Sequence, residues 1–154
     1  MAAGASPLPP PLPAHDLSSV PARMHTGTVH EPQLGMPMRV VLVDDDARFR
    51  SMARRALVDD GVDIVAEVED GREAVAAVAQ WGPDVVLLDL ALPGMDGLEV
   101  ARRLQAEPGG PMVILISSRD LAHGRRLAQG LAAGYVPKDE LSLAAILAVT
   151  DAGP

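Results

Sequence analysis

The sequence predicts a single α/β domain in which helices cover both faces of a parallel β-sheet. Short apolar stretches typical of strands alternate five times with amphipathic helical stretches within residues 38–150. Most of these apolar stretches are unbroken, as expected for strands that are buried on both faces. Hydrophobic residues make up 48% of the 154-residue chain and aromatic residues only 2%, so the core must be aliphatic.

The first repeat begins with an apolar run at residues 40–43, which predicts a buried strand ending in three consecutive aspartates. An apolar stripe at helical spacing predicts the following helix; its members are Phe49, Met52, Ala53, Ala56 and Leu57. The nearby arginines lie mostly off this stripe, and we expect all four in solvent: Arg48, Arg50, Arg54 and Arg55.

The second and third repeats follow the same scheme. Alternation across residues 62–68 predicts a more exposed strand at the sheet edge, and residues 74–79 predict a helix. The third repeat is the segment DVVLLDLALPGMDGLEV, whose buried run ends in Asp89 before the breaker pair at residues 93–94. Leu98, Val100 and their successors then predict an amphipathic helix.

The last two repeats are shorter. A buried strand at residues 112–116 ends in two serines, and the helix after it is expected to be interrupted or delayed by Gly124. A short strand at residues 135–136 leads to Lys138 and a final helix over residues 141–149. The predicted domain therefore spans residues 38–150, with a C-terminal tail at residues 151–154.

Residues 1–37 have a different composition from the predicted domain. They contain eight prolines and few large apolar side chains, so we expect a disordered tail. An inert extension is favoured over a proline-rich ligand for another protein. Translation starting at Met36 or Met38, directly before the first strand, would remove this tail altogether.

Composition excludes several functional classes. The chain has no cysteine, which excludes disulfides, thiolate metal sites and a cysteine nucleophile. Its formal charge of −8 argues against direct binding to nucleic acid or to an anionic membrane. We find neither an apolar run of membrane-spanning length nor a signal peptide, and we therefore expect a cytoplasmic location.

Four predicted strands end in side chains able to do chemistry: Asp44 and Asp45, Asp89, Ser117, and Lys138. The carboxyl ends of parallel strands share one edge of the sheet, so these groups should lie together. Two carboxylates about 5 Å apart repel by roughly 3 kcal/mol at an effective dielectric near 20, so three of them need a cation. Hard oxygen ligands suit Mg²⁺. A carboxylate can also form an aspartyl-phosphate, which an ammonium and a hydroxyl would stabilise.

The motifs VVLVDDD, VVLLDLALPGMDG, ILISS and GYVPK together resemble the receiver domain of two-component response regulators. The resemblance covers residues 38–150 and implies a flavodoxin-like (βα)5 fold with strand order 2-1-3-4-5. It implies that Asp89 is the phosphoacceptor and that Lys138 and Ser117 contact the phosphoryl group. It also implies a coupled switch, in which movement of Ser117 lets Tyr135 turn inward; a simple core-edge aromatic is the alternative for Tyr135. The implied Mg²⁺ ligands are Asp44, Asp45, Asp89 and the Ala91 carbonyl.

The resemblance implies Mg²⁺-dependent phosphoryl transfer to Asp89 from a sensor histidine kinase or phosphotransfer protein. Phosphorylation would switch the face formed by the fourth helix, fifth strand and fifth helix, where a downstream partner or a second copy could bind. The implied chemistry is self-phosphorylation and weak autodephosphorylation, without conventional turnover. The ending resembles receivers of helix-turn-helix regulators, although no output domain follows. A phosphorylation-independent binding module and a truncated DNA-binding regulator are the alternatives.

Other polar residues have simpler interpretations. Asp46 is favoured as a helix cap over a third metal ligand, and Asp96 as the cap of the third helix. Ser118 is expected to be a small neighbour of the site, and His123 a surface residue. Asp139 stands where many receivers have a proline, which leaves the Lys138–Asp139 peptide open to either isomer.

Overall fold

Five strands alternate with five helices in the computed structural model, which describes residues 36–92, 94, 96–118, 121–131 and 134–152. The strands are β1 (Arg39–Val43), β2 (Asp63–Val68), β3 (Val85–Asp89), β4 (Met112–Ser117) and β5 (Gly134–Pro137). The helices are α1 (Ala47–Asp59), α2 (Gly71–Trp81), α3 (Gly97–Ala106), α4 (Leu121–Gly130) and α5 (Leu143–Ala152). A 3-10 turn at Lys138–Glu140 links β5 to α5. The predictions for residues 1–35 lie outside the described residues.

The strands form one sheet in the order β2-β1-β3-β4-β5, with every neighbouring pair parallel. This confirms the predicted strand order and the predicted position of β2 at an edge. Every residue of the central strand β3 is buried. Because all strands run the same way, their carboxyl ends line one edge of the sheet, where ligands bind in open α/β folds.

Alternating side chains of the strands feed two aliphatic cores, one on each face of the sheet. One core, packed by α2, α3 and α4, includes Val41, Val86, Leu88, Leu115 and Tyr135. The other, packed by α1 and α5, includes Leu42, Leu57, Leu87, Ile116 and Ile146. Fully burying one such side chain contributes about 1.5–3 kcal/mol, so these layers supply the rigidity that holds the strand ends together.

Aspartates begin three of the helices. The Asp46 carboxylate accepts the Arg48 N–H at 2.9 Å and caps α1, which confirms the cap interpretation. Asp70 caps α2 by accepting the Glu73 N–H at 2.9 Å. Asp96 caps α3 by accepting the Leu98 N–H at 3.1 Å, also as predicted. Such caps are worth about 1 kcal/mol each and fix where each loop turns into its helix.

Two features of α1 differ from the prediction. Ala53 and Leu57 of the apolar stripe are buried, but Met52 is 67% exposed and Ala56 is exposed, so the stripe is wider than the face that meets the sheet. The prediction that Arg50 is solvated is wrong, because its side chain is only 15% exposed. Its acidic partners are Glu67 of β2 and Glu69 just after that strand, which no local sequence pattern in α1 could reveal.

The expected interruption of the fourth helix is also wrong, because α4 runs through Gly124 without a break. A glycine inside a helix costs only about 1 kcal/mol relative to alanine, which packing on the sheet readily offsets. None of the helices seen in the described part of the chain has the length and apolar character needed to cross a membrane.

Candidate metal and phosphorylation site

Three carboxylates meet at the carboxyl edge of the sheet. One oxygen from each of Asp44, Asp45 and Asp89 lies within 4.8 Å of the other two. Asp44 is 0% exposed and Asp89 3% exposed, whereas Asp45 is exposed to solvent. Two of the three charges are therefore held where water screens them poorly, which makes a cationic partner necessary.

Backbone contacts position the two buried carboxylates. Val43 of β1 pairs with Leu88 of β3, so the next residues, Asp44 and Asp89, stand side by side. One oxygen of Asp44, Oδ1, accepts the Asp46 N–H at 2.8 Å. Asp89 Oδ1 accepts the Ala91 N–H at 3.0 Å. Each carboxylate thus has one oxygen held by the loop that follows its strand and a second oxygen aimed into the site.

Lys138, the only lysine of the chain, faces both of those second oxygens. Its Nζ lies 2.7 Å from Asp44 Oδ2 and 3.3 Å from Asp89 Oδ2. The ammonium also sits 4.7 Å from the centroid of the Phe49 ring, within the range of a cation–π contact. The Lys138–Asp139 peptide is trans, since the described residues contain no cis bond.

The pKa values of Asp44 and Lys138 both depend on their burial and on their mutual contact. Burial raises the pKa of the Asp44 carboxyl above its ordinary value, although Lys138 and the Asp46 N–H favour the ionised form. Burial by itself would lower the pKa of Lys138, but its contacts with Asp44 and Asp89 outweigh burial, and the net pKa is raised. Lys138 is therefore protonated at neutral pH, and it compensates the Asp44 charge only in part.

The donor set fits a hard divalent cation. Asp44 Oδ2 is buried and contacts Lys138 as an ion pair, without the geometry of a hydrogen bond. Among the described residues, Asp44 therefore has one buried oxygen that accepts no hydrogen bond, and its carboxylate lies close to those of Asp45 and Asp89. Several carboxylate oxygens at one point, on a rim open to water, match the coordination chemistry of Mg²⁺.

Ser117 lies beside this cluster. It is 2% exposed at the end of β4 and pairs in register with Pro137, the residue before Lys138. Ser117 and Lys138 also line a common cavity of about 550 Å³, together with Phe49 and Met52. Ser118 is exposed on the same cavity, in keeping with its interpretation as a small neighbour. The four predicted strand ends therefore converge at the carboxyl edge of the sheet.

Tyr135 lies on the same sheet face as Ser117. It pairs with Leu115, two residues before Ser117, and strand residues two apart share a face. The tyrosine is 8% exposed, and a Cβ placed on Gly124 of α4 would overlap its ring. The sequence analysis treated Gly124 only as a helix breaker and missed the close approach of the Tyr135 ring to α4. The signal that could have revealed it is the glycine in the middle of a predicted helix.

Arg50 is the second residue that sequence reasoning missed. Its guanidinium donates to the Asp44 carbonyl oxygen at 2.6 Å. His123 is exposed on α4, as predicted; Arg125 and Arg126 are exposed on the same helix.

A family model described as the response regulator receiver domain matches residues 40–149. The chain belongs to this family. It is a receiver domain of two-component response regulators, and the resemblance inferred from its motifs is confirmed. Receiver domains bind Mg²⁺ at an acidic pocket and interact with histidine kinases or phosphotransfer proteins.

Relatives and solved structures agree with this assignment. The DNA-binding response regulator MtrA of Mycobacterium tuberculosis is 45% identical over 85 residues, which cover 55% of this chain and 37% of MtrA. The signal receiver domain of NarL from Mycobacterium tuberculosis matches with a TM-score of 0.67 and 35% identity, covering 76% of this chain and 96% of that one. The BeF3-activated receiver domain of Klebsiella pneumoniae RstA matches with a TM-score of 0.62 and 30% identity, covering 75% and 97%. The chain spans less than half the length of the curated relatives it matches.

Proposed function

We propose that Asp89 is the phosphoacceptor of this receiver and that it takes a phosphoryl group from a histidine kinase or phosphotransfer protein. The convergence of Asp44, Asp45, Asp89 and Lys138 on one rim is the observation that supports this proposal. Asp89 ends the central strand, and its Oδ2 lies 3.3 Å from Lys138 Nζ, which lines the neighbouring cavity.

The Asp44, Asp45 and Asp89 carboxylates would hold Mg²⁺, with the Ala91 carbonyl as the remaining protein ligand. When bound, the ion would offset the negative charge on the oxygens of the transferring group. The Ala91 N–H already orients the Asp89 carboxylate through Oδ1. Beyond these ligands, the chain's task is to orient the nucleophile and to supply one more positive charge.

An Asp89 carboxylate oxygen would form the new P–O bond while the bond from phosphorus to the donor's imidazole nitrogen breaks. Lys138, now 3.3 Å from Asp89 Oδ2, would pair with a phosphoryl oxygen as a mobile point charge. The Ser117 hydroxyl would donate a hydrogen bond to another phosphoryl oxygen. The Lys138 ammonium and the Ser117 hydroxyl would both move toward the phosphoryl group, and phosphorylation of Asp89 would thereby shift the ends of β5 and β4.

The response would be read on the face formed by α4, β5 and α5, where a downstream partner or a second copy could bind. Tyr135 belongs to this face and is already buried against Gly124. Its ring therefore need not turn inward to become buried. Movement of Ser117 toward the phosphoryl would instead change what the buried ring packs against. Moving the population from 1% to 99% active would require a coupling of about 5.5 kcal/mol.

The test is phosphorylation by acetyl phosphate with Mg²⁺, followed by intact-protein mass spectrometry. We expect the wild type to gain one phosphoryl group, and Asp89→Asn to gain none. Asp96→Asn is the matched control: it alters an exposed aspartate in the next loop, and asparagine caps helices as well as aspartate does. It should be modified like the wild type. Equal modification of wild type and Asp89→Asn would overturn the assignment.

A further inference from the structure

Arg50 joins the loop that carries the metal ligands to the edge strand β2. Its backbone N–H donates to the Asp46 carbonyl at 3.0 Å, which places it in the first turn of α1. Its guanidinium donates to the Asp44 carbonyl at 2.6 Å and lies 3.6 Å from Glu67 and 3.7 Å from Glu69. The side chain is 15% exposed, so these contacts are largely shielded from water.

These contacts secure Asp44 on both sides of its Cα atom. The Asp44 N–H donates to the carbonyl of Val68 at 3.1 Å, and Val68 is the residue between Glu67 and Glu69. The guanidinium therefore ties the Asp44 carbonyl to the same short piece of β2 that already binds the Asp44 N–H. A hydrogen bond from a charged donor at this distance is among the stronger ones in proteins.

We propose that Arg50 is a positioning residue that sets the peptide between Asp44 and Asp45 so that both carboxylates face Asp89. This inference rests on the proposed metal site. The peptide unit is planar, so fixing the Asp44 carbonyl also fixes the direction in which the Asp45 backbone leaves it. In the described part of the chain, no hydrogen bond or ion pair holds the exposed Asp45 carboxylate. Its direction therefore depends on its backbone.

Simple electrostatics makes the opposite prediction. Arg50 brings a positive charge close to a cation site, so its removal should strengthen Mg²⁺ binding if charge alone matters. A positioning role predicts weaker binding when the charge is removed. The sign of the change in Mg²⁺ affinity therefore separates the two explanations.

Arg54 provides a matched control one helical turn away. It pairs with Glu67 at 2.7 Å, closer than Arg50 does, but its side chain is 54% exposed. Among the described residues it makes no contact with the Asp44 carbonyl. Arg54→Met thus removes the same charge and an ion pair to the same strand, and leaves the proposed positioning contact in place.

The experiment measures the Mg²⁺ dissociation constant by amide NMR titration of the wild type, Arg50→Met, Arg50→Lys and Arg54→Met. Loss of an outer contact that orients a metal ligand typically weakens metal binding 10- to 100-fold. We expect Arg50→Met to bind about tenfold more weakly. Arg50→Lys, which keeps the charge without the planar fork, should fall in between. Arg54→Met should bind as tightly as the wild type or slightly more tightly.

A second measurement uses acetyl phosphate phosphorylation at increasing Mg²⁺. For Arg50→Met, the half-saturating Mg²⁺ concentration should rise while the plateau rate stays near that of the wild type. If Arg50→Met folds poorly, Arg50→Lys carries the same comparison. Unchanged or tighter binding in both Arg50 variants, or equal weakening in Arg54→Met, would overturn the inference while leaving the metal site intact. A wild type that binds no Mg²⁺ would overturn the metal site and the inference together.

Discussion

Gly124 contacts the ring of Tyr135, so the effect of Gly124→Ala on stability should change sign when that ring is removed. Alanine is about 1 kcal/mol better than glycine inside a helix, so Gly124→Ala would stabilise α4 if nothing else changed. Here a Cβ at position 124 would overlap the Tyr135 ring. Overpacking a core costs about 1–3 kcal/mol, and expelling the ring instead would forfeit a burial worth about as much. We therefore expect Gly124→Ala to lower the free energy of unfolding by about 1 kcal/mol.

The same substitution should stabilise a chain that lacks the ring. In the Tyr135→Ala background the overlap is gone, and only the helix propensity of about 1 kcal/mol remains. The two substitutions should therefore couple by about 2 kcal/mol, within the range for residues in direct contact. Urea denaturation of the wild type, both single variants and the double variant measures this coupling.

A structural probe accompanies the denaturation curves. Tyr135 is the only tyrosine of the chain, so its ring resonances report on this contact without assignment ambiguity. They should shift in Gly124→Ala. A Gly124→Ala variant that is about 1 kcal/mol more stable than the wild type, with unshifted ring resonances, would show that the ring does not occupy this position.

Further predictions concern the site itself. Mg²⁺ at 100 times its dissociation constant should raise the unfolding free energy of the wild type by about 2.7 kcal/mol. If Asp45→Asn binds Mg²⁺ about tenfold more weakly, the same concentration should stabilise that variant by only about 1.4 kcal/mol. Urea denaturation with and without EDTA measures both values. Gly97→Ala should lower stability by about 1–3 kcal/mol, because its Cβ would lie 2.8 Å from the Asp89 carbonyl oxygen; unchanged stability and amide shifts near Asp89 would contradict this. In metal-free protein, the stability of the wild type relative to Lys138→Gln should fall as the pH rises above 10.5. The reason is that folding raises the pKa of Lys138, and the stabilising ammonium loses its proton as the pH passes that raised pKa. A pH-independent difference between these two chains would contradict the raised pKa.

The fold follows from patterns that are local in the sequence. The sequence alternates apolar runs of strand length with amphipathic helices. Because the crossover connections between parallel strands must be right-handed, few strand orders are compatible with this alternation. The caps Asp46 and Asp96 were predictable for the same reason, because a cap acts on residues two or three positions later. The convergence of the strand ends was predictable because parallel strands share one carboxyl edge.

The misplacement of Arg50 and the missed contact of Gly124 have a common physical origin, since both depend on a neighbour that is distant in the sequence. Arg50 is drawn out of solvent by Glu67 and Glu69, which reach it only because β2 pairs with β1. Gly124 makes room for a ring on β5. A pattern within one helix cannot reveal what the adjacent strand presents to that helix.

Lys138 explains how the acidic cluster is tolerated before a metal ion binds. Two carboxylates within 4.8 Å repel by roughly 3 kcal/mol at an effective dielectric near 20, and the ammonium lies close to both of them. A divalent ion that takes Asp44 and Asp89 as ligands must therefore compete with Lys138 for the same two oxygens. Replacing Lys138 with methionine should tighten Mg²⁺ binding while it slows phosphoryl transfer, because the side chain opposes the first event and assists the second. Parallel loss of both Mg²⁺ affinity and transfer rate in Lys138→Met, measured by amide NMR titration and acetyl phosphate kinetics, would refute this competition.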